Sequence, residues 1–104
     1  MAANEEHDLI TIIVQHKHEE KTLDAALKAG APGETYFYGR GTGVRQRLGF
    51  IGSLIEKEKV VILTVVPVSK TDGVVDAVTK AAELEKPGNG FLCVQRVNRV
   101  IGLI

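Results

Sequence analysis

The stretch that decides the fold is Gly-Arg-Gly-Thr-Gly at residues 39–43, where a long connection between two predicted strands begins. An aromatic run precedes it at residues 35–38, and a continuous apolar run follows it at residues 60–68. Alternate glycines free the backbone for unusual conformations and close approach to a ligand, while arginine supplies fixed positive charge. Such a long connection is usually functional or disordered, so we predict a loop at about 40–58 that can receive an anion.

Composition limits the chain to one domain and a few classes of function. It has 104 residues, of which 44% are hydrophobic, and 13 basic residues balance 13 acidic ones. Without a block of like charge, binding to nucleic acid or to a membrane surface is not expected. The polar first residues do not form a signal peptide, and no apolar run approaches the roughly 18 residues of a membrane span. We therefore predict a cytoplasmic protein with no membrane insertion.

Hydrophobic patterns predict four strands and two helices after a flexible N-terminus at residues 1–8. The strands are predicted at 9–14, 35–40, 60–66 and 91–97. A first amphipathic helix starts near Thr22 or Asp24 and ends at Gly30, because glycine followed by proline is a common helix stop. A second helix begins with Ser69, Thr71 or Asp72 as cap.

Two further expectations concern exposure. The charged residues 56–59 are expected to form a solvated shoulder before the third strand, whereas the single cysteine, Cys93, is expected in the core because it lies in an apolar run. His7 is expected to be disordered with the rest of the N-terminus.

The element order is β-α-β-β-α-β within a single domain at residues 9–104. This order predicts an α+β, ferredoxin-like fold, in which a four-stranded antiparallel sheet carries two helices on one face. The first and third predicted strands hold too many apolar residues for one face alone. We therefore expect oligomerisation to cover the other face of the sheet.

Three segments in this order resemble the P-II signal-transduction family. They are GRGTG at 39–43, EKVVILTVVP at 58–67, and PGNG at 87–90 leading to VNRVI at 97–101. The resemblance implies a cytoplasmic homotrimer that binds an adenine nucleotide (ADP, AMP or ATP) or a similar small effector in clefts between subunits. It also implies that the long loop signals to a membrane transporter or an enzyme, in nitrogen or inorganic-carbon metabolism.

The resemblance also implies which residues hold the effector. The base of the loop and the turn at 86–90, called the B-loop in this family, would supply backbone amides and basic side chains to an anion. The residues so assigned are Gly39, Arg40, Gly41, Thr42, Gly43, Lys86, Gly88, Asn89, Gly90 and Arg99. No metal is predicted.

The chain departs from the family's nitrogen regulators at several basic positions. Phe91 stands where they carry a lysine after the last glycine of the turn, and Gly102 stands where they carry a phosphate-binding arginine. No tyrosine lies between Gly39 and Lys59, so the family's uridylylation site is absent. We therefore predict a divergent, P-II-like member.

Other functions remain open at the level of sequence. The pair His16 and His18 lies two residues apart without a confident third ligand, so a metal site is not predicted. No positioned nucleophile or carboxylate pair points to catalysis. The alternatives are a non-sensing trimeric module similar to the divalent-cation tolerance proteins, and a small ferredoxin-like enzyme that binds phosphate through Arg40.

Overall fold

The computed structural model describes residues 5–41 and 57–103. Most of the loop predicted at about 40–58 lies at residues 42–56. The predictions for this part of the loop, and for Thr42 and Gly43 as site residues, therefore lie outside the described residues. The strands are β1 (His7–Gln15), β2 (Thr35–Gly41), β3 (Lys57–Pro67) and β4 (Gly90–Val97). A short 3-10 helix (His16–His18) leads into α1 (Glu19–Lys28), and α2 (Val68–Ala81) follows β3.

The four strands form one antiparallel sheet in the order β2-β3-β1-β4. β1 lies inside the sheet and pairs on both sides, so that Ile12 stands between Ile62 and Leu92. Directly paired residues place their side chains on the same face of the sheet, and in all three pairings the partners are both odd-numbered or both even-numbered. The sheet and its two helices agree with the predicted α+β arrangement.

Even-numbered residues of β1 and β3 face the helices and form the core. Ile10, Ile12 and Val14 are fully buried there. They pack with side chains of β3, α1, α2 and the segments after the helices; these are Val60, Ile62, Val66, Ala26, Val74, Val78, Ala31 and Ala82. A single apolar layer between sheet and helices therefore holds the domain together.

The opposite face of the sheet is uncovered in the single chain, and we call it the open face. It carries odd-numbered residues, among them Ile13 and Val61, which are partly buried, and Phe37 and Phe91, which are exposed. Cys93 also lies at an odd position, on the edge strand β4, and is exposed. The prediction that Cys93 belongs to the core is therefore wrong for the chain by itself.

The first helix starts earlier than predicted because the chain coils directly after β1. Residues 16–18 form the 3-10 turn, and Glu19 begins α1, ahead of the predicted start at Thr22 or Asp24. Thr22 is fully buried, and its hydroxyl donates a hydrogen bond of 2.7 Å to the His18 carbonyl. The predicted stop is confirmed, since Gly30 takes a φ of 118° just after the helix.

β1 begins earlier than predicted, because His7 and Asp8, which were predicted to lie in the flexible N-terminus, belong to this strand and are buried. The Asp8 carboxylate accepts hydrogen bonds from the Thr71 hydroxyl at 2.6 Å and from Arg96 Nε at 2.8 Å. The Thr71 bond first, and Arg96 second, lower the pKa of Asp8 below its usual value. Thr71 thus joins α2 to the sheet rather than capping the helix, and neither Ser69 nor Asp72 caps it through its side chain.

Glu34 carries a second perturbed carboxyl, at the residue before β2. Among the described residues no donor reaches its buried Oε2 atom, and burial raises the pKa of Glu34 to about 7. Burial without a partner disfavours the charged form of a carboxyl, so ionisation of Glu34 destabilises the folded chain.

We expect Glu34→Gln to remove part of the pH dependence of stability. The unfolded chain ionises Glu34 near its ordinary pKa of 4.5, whereas the folded chain keeps the proton up to about 7. The wild type therefore loses stability relative to Glu34→Gln as pH rises between these values, by about 1 kcal/mol after allowance for solvent screening. Urea unfolding at pH 5, 6, 7 and 8 measures the difference, with the exposed Glu20→Gln as control. A difference that stays constant across this range would contradict the expectation.

Candidate ligand site

Strand register arranges the open face in rows that run across the sheet. One row, which we call the apolar row, contains Phe37, Val61, Ile13 and Phe91, one from each strand. Two positions nearer to the loop lies the loop-side row, which contains Gly39, Lys59 and Gln15. An apolar surface and a polar surface therefore adjoin on the same face of the sheet.

A cavity of about 630 Å³ lies over these rows at the loop end of the sheet. Its lining comes from all four strands and from the turn before β4: Ile13, Gly39, Arg40, Gly41, Lys59, Val61, Pro87, Gly88, Gly90 and Phe91. The fold thus brings five of the predicted site residues together. Three come from the end of β2, and Gly88 and Gly90 come from the turn.

Lys59 was missed as a site residue. It was expected in a solvated shoulder, but β3 already starts at Lys57, and Lys59 is 8% exposed. The sequence feature that indicates its position is the alternation of side chains along a strand. If the predicted third strand is extended towards the N-terminus, Lys59, Val61 and Leu63 lie on one face. A run of charged residues hid this continuation of the strand pattern.

The turn at 86–90 is held by hydrogen bonds to β1 and to the end of α2. Gln15 Nε2 donates to the Gly88 carbonyl at 2.8 Å, and Asn89 Nδ2 donates to the Glu83 carbonyl at 3.0 Å. The backbone N–H of Asn89 is used within the turn, where it donates to the Lys86 carbonyl. Asn89 therefore braces the turn with its side chain instead of lining the cavity.

Lys86 and Arg99 are placed away from the cavity. Lys86 Nζ pairs with the Glu83 carboxylate and lies in a different surface depression, alongside Lys80 and Glu85. The hydrogen bond from Lys86 is the main cause that lowers the pKa of Glu83. Arg99 is exposed beyond the end of β4 and does not line the cavity. The structure thus separates these two predicted cations from the glycines.

The glycines around the cavity serve different purposes. Gly90 has a φ of 128°, and a Cβ there would lie 2.0 Å from the Ile13 carbonyl oxygen, so the packing of β4 on β1 requires glycine. Among residues 5–41 and 57–103, no atom lies within 4 Å of a Cβ placed on Gly39 or Gly41, and neither residue has a positive φ. The described part of the chain therefore does not require glycine at 39 or 41, and both residues line the cavity.

The two histidines considered for a metal lie in different environments. His16 is half-exposed and lies 3.4 Å from a Glu19 carboxylate oxygen, with its ring 5.3 Å from that of Tyr38. His18 is buried, and burial, followed by the charges of Lys21 and Lys17, lowers its pKa. Among residues 5–41 and 57–103 no three metal-ligating side chains form a group.

Comparison with known proteins gives a family match over nearly the whole chain. The family model described as nitrogen regulatory protein P-II matches residues 7–103. No curated protein matches the chain. In the described ranges, neither helix has the length and apolar character needed to cross a membrane.

Two solved structures resemble the fold. A Bacillus cereus protein related to NIF3 is 26% identical to this chain and has a TM-score of 0.73. The match covers 91% of this chain but only 26% of the Bacillus cereus protein. Arabidopsis thaliana PII, solved with citrate bound, is 22% identical with a TM-score of 0.74; the match covers 99% of this chain and 88% of the plant protein. Both agree with the predicted ferredoxin-like fold.

Alanine at the two kinds of glycine is expected to have unequal effects on stability. Gly90→Ala forces Cβ onto the Ile13 carbonyl and strains φ, so we expect a loss of about 3 kcal/mol or more in the free energy of unfolding. Gly33→Ala, in open space at an exposed turn, should change it by less than about 0.5 kcal/mol. Urea denaturation followed by circular dichroism compares the two, and equal losses would refute this assignment of roles.

Proposed function

The chain belongs to the P-II family, and on that premise we propose that it is a regulatory protein that senses a small anionic effector, an adenine nucleotide. P-II proteins are regulators rather than enzymes, and we propose no catalytic reaction. The effector binds in the cavity on the open face and changes the loop that joins β2 to β3.

The observation that carries this proposal is the position of the cavity at the root of the loop. Gly39, Arg40 and Gly41 line it at the end of β2, and the turn glycines Gly88 and Gly90 face them. Gly41 pairs with Lys57, the first residue of β3, so both ends of the loop start beside the cavity. A ligand bound there contacts the segment from which the loop departs.

The charges of the lining favour an anion. Arg40 and Lys59 contribute the cationic groups, and no acidic residue of the described chain lines the cavity. The Arg40 side chain is exposed, and no ion pair or hydrogen bond joins it to another residue in the ranges 5–41 and 57–103. A guanidinium is suited to paired hydrogen bonds with a phosphate or carboxylate.

The open face supports our proposal that the chain assembles as a homotrimer. Phe37 and Phe91 are 51% and 54% exposed there, at opposite edges of the sheet. Exposed aromatic side chains on a sheet face are typical of an interface, and the P-II family assembles as trimers. In the cytoplasm, the loop of such a trimer would bind an enzyme or a membrane transporter, in nitrogen or inorganic-carbon metabolism.

Titration calorimetry tests the sensing function with ATP, ADP, AMP, cyclic AMP, citrate and bicarbonate. We expect an adenine nucleotide to bind, and Gly39→Val to weaken its binding at least tenfold, because the added side chain enters the cavity from a position where no described atom lies within 4 Å of Cβ. The matched control is Gly33→Val, which also enters open space but lies outside the cavity.

Light scattering on the same samples would show whether Gly39→Val keeps the oligomeric state of the wild type. Lack of heat with every compound in the panel would sink the nucleotide-sensing function. Equal weakening by Gly33→Val and Gly39→Val would show that the cavity is not where the nucleotide binds.

A further inference from the structure

We propose that a surface on the helix side of β2 docks a protein partner by receiving an arginine side chain between aromatic rings and carboxylates. We call it the tyrosine surface, and it consists of Tyr36, Tyr38, His16, Glu19 and Glu58. This docking surface goes beyond the proposed function, because it lies on the other face of the sheet from the cavity.

The two tyrosines lie beyond the part of the sheet that the helices cover. Strand register pairs Tyr36 with Ile62 and Tyr38 with Val60, so both tyrosines share the helix side of the sheet with these core residues. Ile62 and Val60 are fully buried, whereas Tyr36 and Tyr38 are 47% and 50% exposed. The apolar layer therefore ends at β3, and the rings on the edge strand β2 are accessible to a partner.

The rings of the tyrosine surface contact one another. The ring centroids of Tyr36 and Tyr38 are 6.5 Å apart, with the two planes at 76°. His16 lies beside Tyr38, at a centroid distance of 5.3 Å. Such edge-to-face and tilted contacts hold the rings in fixed orientations. A guanidinium binds to the face of an aromatic ring by stacking and by electrostatic attraction to the ring, so exposed tyrosines at this spacing suit arginine.

Two carboxylates place negative charge beside these rings. The Tyr38 hydroxyl donates hydrogen bonds to both carboxylate oxygens of Glu19, at 2.9 and 3.1 Å. The hydrogen bond to Glu19 is the main cause that raises the pKa of Tyr38, so the hydroxyl keeps its proton and the charge stays on Glu19. The Glu58 side chain is 59% exposed, with one carboxylate oxygen 3.8 Å from His16 Nε2. Arg40 stands opposite Glu58 in strand register, but in the ranges 5–41 and 57–103 no ion pair joins them.

The shape of the tyrosine surface favours a protein partner over a small molecule. Its residues line neither the cavity of the candidate site nor the depression around Lys86. Sites for small molecules are concave, whereas protein interfaces are enriched in aromatic residues and arginine. The negative charge of the surface calls for a cation, and arginine can stack on a ring while its N–H groups reach a carboxylate. These properties together select an arginine presented by another protein.

NMR titration of the isotope-labelled full chain tests the docking surface with the peptide acetyl-Gly-Arg-Gly-amide as probe. We expect the signals of Tyr36, Tyr38 and Glu58 to shift. The same peptide with citrulline, which is neutral and has nearly the same shape, should bind about fivefold or more weakly. Tyr36→Leu and Glu58→Gln are each expected to weaken the arginine peptide by roughly two- to fivefold, and Tyr36→Phe to retain binding because it keeps the ring.

Phe37→Leu is the matched control, because Phe37 lies between the two tyrosines on β2 and is 51% exposed, but on the opposite face of the sheet. It is expected to leave the affinity for the arginine peptide unchanged. No shift with this peptide, equal affinity for the citrulline peptide, or equal weakening by Phe37→Leu and Tyr36→Leu would overturn the proposal. Free arginine that binds as tightly as the peptide would overturn the protein partner, and a smaller oligomer of Tyr36→Leu in light scattering would show that a second copy covers the surface instead.

Discussion

The pairing of β1 with both β3 and β4 is the constraint on which the rest of the structure depends. A strand held on both sides cannot slip by one residue without moving its whole core face to the other side of the sheet. Ile10, Ile12 and Val14 therefore commit β1 to one register, and β3 and β4 take their registers from it. The same pairing places Ile13 on the open face, where it joins Val61 and Phe91 beneath the cavity.

The local elements could be predicted because each has a local cause. β-branched runs mark β1 and β3, and Gly30 with Pro32 marks the end of α1. Exposure could not be predicted in the same way. Cys93 lies in an apolar run, yet its exposure depends on β4 being an edge strand and on the parity of its register with β1. Thr71 resembles a helix cap, but Asp8, which is distant in sequence, takes its hydroxyl.

The candidate site was predictable in its backbone and less so in its side chains. Glycines 39, 41, 88 and 90 indicated where the chain could approach a ligand, and all four line one cavity. The direction of Lys86 depends instead on the turn after α2, where Glu83 adopts a φ of 52° and pairs with it. Lys59 was predicted to be solvated because it lies among other charged residues. Its burial follows only from the pairing of β3 with β1, which places Lys59 beside Gln15.

Coupling between the cavity and the loop requires that a ligand bind one loop conformation better than another. The strand pair Gly41 and Lys57 closes the sheet at the loop, so the described ends of the loop are held together before any ligand arrives. Under the proposed function, the anionic effector would lie near Lys59, two residues along β3 from this pair, and would also contact Arg40 in the same cavity lining. The free energy of that contact depends on where the first loop residues direct Arg40. Under the proposed function, binding of the effector would therefore favour the conformations of the β2–β3 connection that bring Arg40 towards the anion.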